Sequence, residues 1–153
     1  MRSLLVYAET SVFGGEFDAE FVNHNRRFFR VVEAGRFRLV VSDQVQDEIK
    51  KSPPTVREFY DERVPSVPRL SVSPEVRELA RCYMRTKIFK SDSYSDAVHV
   101  ACAAVHQCAG LVSWNFRHIV NPDKIIRFNM VNVANGYPQL FIVSPRGIME
   151  HEN

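Results

Sequence analysis

The chain has 153 residues, of which 45% are hydrophobic, 11% aromatic and 25% charged. That composition excludes a disordered chain, a collagen-like repeat and a disulfide-stapled miniprotein, and the length suits a single domain over residues 1–153 with its own core. Twenty Lys and Arg against eighteen Asp and Glu leave a net charge of +2, too small for a sequence-blind coat on nucleic acid but compatible with local basic patches.

Leu4 to Ala8 is a short, nearly continuous apolar run, the pattern of a central parallel strand covered on both faces. Polar Glu9-Thr10-Ser11 ends it, and Gly14-Gly15 breaks the chain. From Ala19 to Glu33, Phe21, Phe28, Val31 and Val32 recur at mostly helical spacing, with Gly35 as a C-terminal stop. Phe28 and Phe29 are neighbours, so one is expected to point off that stripe toward an interface. Phe37 to Val41 reads as a second strand. Ser42 or Asp43 caps the next helix, with Gln46 three after Asp43 as in a capping box and Val45 and Ile49 as its apolar stripe. Pro53-Pro54 interrupts it, and a further helical piece covers Val56 to Arg63.

Pro65 and Pro68 mark a loop, with a short edge strand after it at Arg69 to Val72. Pro74, at a first helical position, opens a helix to about Thr86, with Val76, Leu79, Ala80 and Tyr83 on one face. Another helix runs from Tyr94 to about Gln107. Gly110 precedes a strand at Leu111 to Ser113. Asn121-Pro122 opens a helix that Asn135-Gly136 closes, and Leu140 to Val143 is the last strand. Strands alternating with helices predict an α/β fold on a mostly parallel sheet with right-handed crossovers.

Cys82, Cys102 and Cys108 make an odd number with no C-x-x-C pair, which points away from a disulfide framework or a zinc ribbon and toward a reducing cytoplasm. No apolar run approaches the roughly 18 residues of a membrane span, and the apolar start is too short for a secretory signal. A cytoplasmic protein with no membrane partner is expected. No phosphate-binding loop, dinucleotide fingerprint or G-x-S-x-G elbow occurs.

In a parallel sheet the ligand sits beyond the carboxyl ends of the strands, so the polar residues on that edge matter most. Glu9 ends the first strand. Glu48 lies in the helix that leaves the second. Asp96 is in the first turn of the helix preceding the Leu111 strand, and Asn115 comes just after that strand. Carboxylates gathered there repel one another unless a cation neutralises them. Hard divalent cations with oxygen ligands do so, and Mg²⁺ keeps waters and a substrate phosphate oxygen in its shell. Such a site activates water against a phosphodiester. Each residue also has a plainer reading: a strand end, a helix surface, a helix N-terminus stabilised by its acid, or a turn. Their convergence favours the chemical one.

The segments Val6-Tyr7-Ala8-Glu9-Thr10-Ser11-Val12-Phe13-Gly14-Gly15, Val41 to Ile49, Asp96-Ala97-Val98-His99-Val100-Ala101 and Leu111 to Ile119 resemble PIN-domain proteins of the VapC-toxin type, as does Asn132 to Pro145 with its Gly136-Tyr137-Pro138. The resemblance implies a three-layer α/β/α fold around a mostly parallel five-stranded sheet of order 3-2-1-4-5. It implies a Mg²⁺- or Mn²⁺-dependent endoribonuclease that hydrolyses RNA with a metal-activated water, the toxin of a type II toxin–antitoxin pair. The family acids fall at Glu9, Glu48 and Asp96, with Asn115 at the fourth position. Together these four form the expected catalytic and metal-binding set, and Thr10 or Ser11 matches the family hydroxyl beside the first acid.

One departure stands out. The family's first acid is normally Asp, and Mg²⁺ tolerates little error in ligand distance, so Glu9 raises the alternative of a weak or silent PIN-fold module that binds RNA or a protein partner. Asp18 is a conceivable stand-in for that acid. Arg117 and His118 are candidate phosphate contacts alongside Thr10 and Ser11. His99, three after Asp96, either orients an acid or contacts substrate, or is simply packed and hydrogen-bonded, and Trp114 reads as core packing ahead of base stacking. Expected partners are RNA, an antitoxin protein and a second copy of the chain.

Overall fold

The computed structural model describes residues 4–64, 67–90 and 93–150. Within these residues five strands, β1 (Leu4–Ala8), β2 (Phe37–Ser42), β3 (Arg69–Leu70), β4 (Gly110–Val112) and β5 (Phe141–Val143), form one sheet of order β3-β2-β1-β4-β5. Every pairing is parallel, with Tyr7 beside Val40 and Leu111, Ser42 beside Leu70, and Val112 beside both Ala8 and Val143. The strand ends are therefore nearly level, and the connections leaving them all emerge on one edge. The order reverses at β1, which puts the crevice between the β1 and β4 connections at the switch point.

Among the described residues eight α-helices connect or flank the strands: α1 (Ser11–Gly14), α2 (Val22–Glu33), α3 (Asp43–Lys50), α4 (Pro54–Arg63), α5 (Pro74–Arg85), α6 (Tyr94–Val105), α7 (Pro122–Ala134) and α8 (Pro145–Glu150). Right-handed crossovers put α1 to α4 on one face of the sheet and α5 to α7 on the other. Each face has its own aromatic cluster. On the first, Phe13 meets Phe29, Tyr60 and Phe59 at ring separations of 5.8, 4.9 and 6.4 Å. On the second, Phe128 meets Tyr83 and Phe89 at 5.4 and 5.1 Å. The sheet between them is buried along Val6, Tyr7, Ala8, Leu111 and Val112. Fully burying such side chains contributes roughly 1.5–3 kcal/mol each, which is why the apolar strand runs sit at the centre.

Local signals act largely as read, with differences that have physical causes. Ser42 caps α3, its hydroxyl accepting the Val45 N–H at 3.2 Å. Gln46 closes no capping box and instead accepts the Tyr60 hydroxyl at 2.7 Å, tying α3 to α4. Pro54 opens α4 rather than interrupting a helix, because a proline at a first helical position gives up only an orphan N–H. The edge strand is Arg69–Leu70 alone, and α2 starts at Val22 rather than Ala19. Pro65 lies outside the described residues.

Gly14-Gly15 does not break the chain. Both have helical φ, −68° and −61°, and carry it from α1 into a 3₁₀ turn over Gly15–Phe17. The reason for glycine at 15 is tertiary: a Cβ there would lie 2.6 Å from Trp114 Nε1. Phe28 and Phe29 are both buried, against Phe37 and Phe59 respectively, so neither offers an interface.

Candidate functional site

The edge residues meet in the crevice between the loops that leave β1 and β4. Glu9 continues β1, its N–H donating to Val112 O at 3.0 Å, so its side chain leaves the sheet at the crevice floor. Its Oε1 accepts two hydroxyls, Ser11 Oγ and Ser113 Oγ, each at 2.6 Å. Ser11 also accepts the Trp114 N–H at 2.8 Å, which locks the β1 loop to the β4 loop. The residue is only 6% exposed. A buried carboxylate persists because charged hydrogen bonds offset its lost hydration.

Glu48 comes from the opposite wall. Its position in α3 is fixed by the Ser42 cap, which starts the helix at the strand's end and turns Glu48 inward at the border of the Val45–Ile49 stripe. Thr10 Oγ1 donates to its Oε1 at 2.5 Å, and Gln44 Nε2 to its Oε2 at 2.8 Å. His99 Nε2 lies 2.9 and 3.1 Å from the two oxygens. A carboxylate only accepts, so Nε2 carries the proton. Burial alone would raise the Glu48 carboxyl, but the His99 hydrogen bond and charge, with those from Thr10 and Gln44, outweigh it and hold the pKa at about 2.

His99 is itself fully inside. It lies 2.7 Å through Nδ1 from the Tyr7 hydroxyl, which in turn is 2.6 Å from Ser42 Oγ. This is a closed polar chain, Ser42–Tyr7–His99–Glu48, running through the core to the crevice. Burial works against an imidazolium, yet the Glu48 hydrogen bond and the charges of Glu9, Glu48 and Asp96 raise His99 above its ordinary value. Burial likewise pushes the Tyr7 phenol well up, so it acts as a neutral hydrogen-bonding link.

The facing atoms of Glu9, Glu48 and His99 all lie within 4.8 Å of one another, and with the His99 Nε2 proton donated to Glu48 the two carboxylates are the pair close enough to share one cation. Asp96 stands outside that tight group. It is half-buried on the crevice flank, where Asn115 Nδ2 donates to its Oδ1 at 3.4 Å. Burial, then the charge of Glu9, raises its pKa, so Asp96 feels the shared crevice electrostatically. Asn115 is oriented by His118, whose backbone N–H donates to its Oδ1 at 2.9 Å. The His118 Nδ1 is buried with no hydrogen-bond partner among the described residues. Arg117 is exposed beside it.

The four sequence candidates thus border one crevice, and the structure adds His99, whose Nε2–H holds Glu48 in place. Position i+3 from Asp96 on one helix face was the available signal for it. Thr10 and Ser11 turn their hydroxyls to Glu48 and Glu9 rather than outward. Asp18, exposed after the 3₁₀ turn, lies outside the tight group and is no stand-in for Glu9. Two close carboxylates and a flanking third form an oxygen donor set that suits a hard divalent cation. Among the described residues no helix is long and apolar enough to cross a membrane.

Among solved structures the fold is similar to VapBC2 from Rickettsia felis, solved bound to a DNA fragment from their promoter. The TM-score is 0.61 at 13% identity, covering 92% of this chain and 98% of that one. It is also similar to Mycobacterium tuberculosis VapC20, a sarcin–ricin loop cleaving toxin, with a TM-score of 0.56 at 14% identity, covering 88% of this chain and 97% of that one. No protein-family model matches the chain, and no curated protein matches it in sequence. At these identities the likeness shows the fold, the three-layer PIN-like architecture of the VapC structures.

Proposed function

We propose that the chain is a metal-dependent endoribonuclease of VapC type, the toxin of a type II toxin–antitoxin pair acting in the cytoplasm on RNA. The observation that carries this reading is convergence: Glu9, Glu48, Asp96 and Asn115 leave four separate elements and border one crevice at the switch point of the sheet. The toxin in the similar VapC20 structure, which cleaves the sarcin–ricin loop, supports RNA as the substrate class. An antitoxin is the expected protein partner, with a second copy of the chain as a further one.

In this reading Glu9 and Glu48 would hold a divalent cation, Mg²⁺ or Mn²⁺, with Asp96 as a further carboxylate beside them. Such an ion supplies Lewis-acid stabilisation of the phosphoryl oxygen and lowers the pKa of water. The chain's own side chains do the positioning. Thr10, Gln44 and His99 fix both Glu48 oxygens, and Ser11 and Ser113 fix Glu9, so neither carboxylate reorganises when substrate arrives. Asn115, held by the His118 N–H, aims its amide at Asp96 and at whatever water or phosphate oxygen lies there. Arg117 and His118 stand where the RNA backbone would pass.

The alternative of a silent module drew its support from Glu9. The paired seryl seat favours the active reading instead, because it receives the longer side chain. The test is cleavage of RNA by purified protein with Mn²⁺ or Mg²⁺, stopped by EDTA, and lost in Glu48→Gln and in Asp96→Asn. Folded protein that cleaves no RNA with either ion overturns the proposal. Unchanged rates in a variant remove that residue from the mechanism.

A further inference from the structure

Beside the acidic crevice lies a second cavity of about 380 Å³, lined by Gly14, Asp18, Phe21 and Trp114 and shared with the crevice through Ser11 and Asn115. We propose that it is a nucleobase subsite, which seats a base of single-stranded RNA carrying an exocyclic amine. The proposal rests on the ribonuclease reading and extends it to how the substrate is gripped.

The cavity has a prebuilt aromatic wall in which half-buried Phe21 is the ring that a base can reach, since Trp114, stacked on it, is only 6% exposed. Phe21 stacks on Trp114 with ring centroids 4.2 Å apart and planes within 11°. Phe116 tilts against both, at 6.3 and 6.2 Å, and is 49% exposed. Trp114 cannot swing away: its Nε1 donates to buried Asn25 Oδ1 at 2.8 Å, and Gly15 is pressed against its ring. A fixed wall of this kind suits a flat π-face, since base–aromatic stacking needs no side-chain ordering on binding.

The opposite lining is open. At Gly14 an added Cβ would meet nothing within 4 Å. Asp18 supplies the edge contact. One of its oxygens accepts the Glu20 N–H at 2.8 Å, which fixes the carboxylate and leaves the other oxygen as an acceptor. A carboxylate reads the amine of cytosine or adenine and repels the carbonyl edge of uracil. The location completes the argument. Ser11 binds Glu9 on one side and lines the cavity on the other, so a base seated there lies one short step of backbone from the acids.

Trp114 is the only tryptophan in the chain, so its emission reports on this wall directly. Full-length protein in EDTA, which prevents cleavage, is titrated with short oligocytidylate and oligouridylate. Oligocytidylate is expected to quench Trp114 and to bind about tenfold tighter than oligouridylate. Gly14→Leu fills the cavity at a helical φ and should weaken binding by roughly tenfold with no loss of melting temperature. Asp18→Ala should erase the preference for cytosine while oligouridylate still binds. Oligocytidylate that binds with unaltered emission, or Gly14→Leu binding as well as wild type, overturns the subsite. If RNA is nonetheless cleaved with Mn²⁺, the ribonuclease reading survives that result. A protein that neither binds nor cleaves RNA loses both.

Discussion

Shortening Glu9 to Asp tests whether the long side chain is a defect or a fitted part. Removing one methylene withdraws the carboxylate by up to about 1.5 Å, one carbon–carbon bond. Ser11 and Ser113 now sit 2.6 Å from Oε1. Both separations would grow to roughly 4 Å, beyond hydrogen-bond range. Hydrogen bonds to a charged group contribute about 1.5–3 kcal/mol each, so the seat would lose most of its hold on this side chain. The carboxylate would also retreat from Glu48 and His99, whose ligand atoms now lie within 4.8 Å of its own. A misplacement of about 1 Å in a reacting group costs roughly 10²-fold in rate. Glu9→Asp is therefore expected to cleave RNA about a hundredfold more slowly and to bind Mn²⁺ more weakly by calorimetry. Turnover equal to or above wild type would refute the reasoning, for it would mean that the serines constrain nothing and that Glu9 is the misfit its sequence position suggested.

Three other outcomes are set by the packing. Tyr7→Phe cuts the buried chain between Ser42 and His99 and leaves His99 Nδ1 without its hydroxyl; a loss of about 1–3 kcal/mol is expected, read in a denaturant titration, and no change would show the chain to be unimportant. Gly15→Ala drives a Cβ against Trp114 and Asn25 and should destabilise by about 1–3 kcal/mol, whereas Gly14→Ala meets open space in a helical conformation and should stabilise by about 0.5–1 kcal/mol; equal effects would sink the contact argument. Burial pushes the Cys102 and Cys108 thiols up to about 12, so a thiol reagent at neutral pH should modify Cys82 alone in folded protein, with mass spectrometry locating the adduct.

The sheet was readable because its residues obey one strong rule: short apolar runs such as Leu4 to Ala8 can only be buried on both faces. Helix starts were readable where a short-range contact decides them, as with Ser42, Pro74 and Asn121, whose side chain or ring acts within one turn. Long-range causes were not readable. Gly14-Gly15 looks like a break because the contact that demands Gly15 comes from Trp114, distant in sequence and 2.6 Å away from a Cβ in space. The short helix α8 has too little periodicity to announce itself. His99 presents the subtlest case. Its two readings, a packed histidine and one that orients an acid, both hold, and only the fold reveals that the acid is Glu48, 51 positions away in the chain.

The acids can share a crevice because the fold brings the compensation with them. Glu9 and Glu48 arrive with hydroxyls from their own or a neighbouring loop, Ser11 and Ser113 for Glu9 and Thr10 for Glu48, while Asp96 takes the Asn115 amide. The donors of Glu9 come one from the β1 loop and one from the end of β4, and these diverge only because the strand order reverses between them. A continuous parallel order would send both connections the same way and leave no crevice for them to border. His99 then supplies a further hydrogen bond to Glu48 from the floor, anchored through Tyr7 to Ser42, the same residue that starts α3 and so places Glu48. The polar chain and the helix cap therefore share one hydroxyl, and the position of Glu48 relative to His99 is set twice, once by backbone and once by side chain.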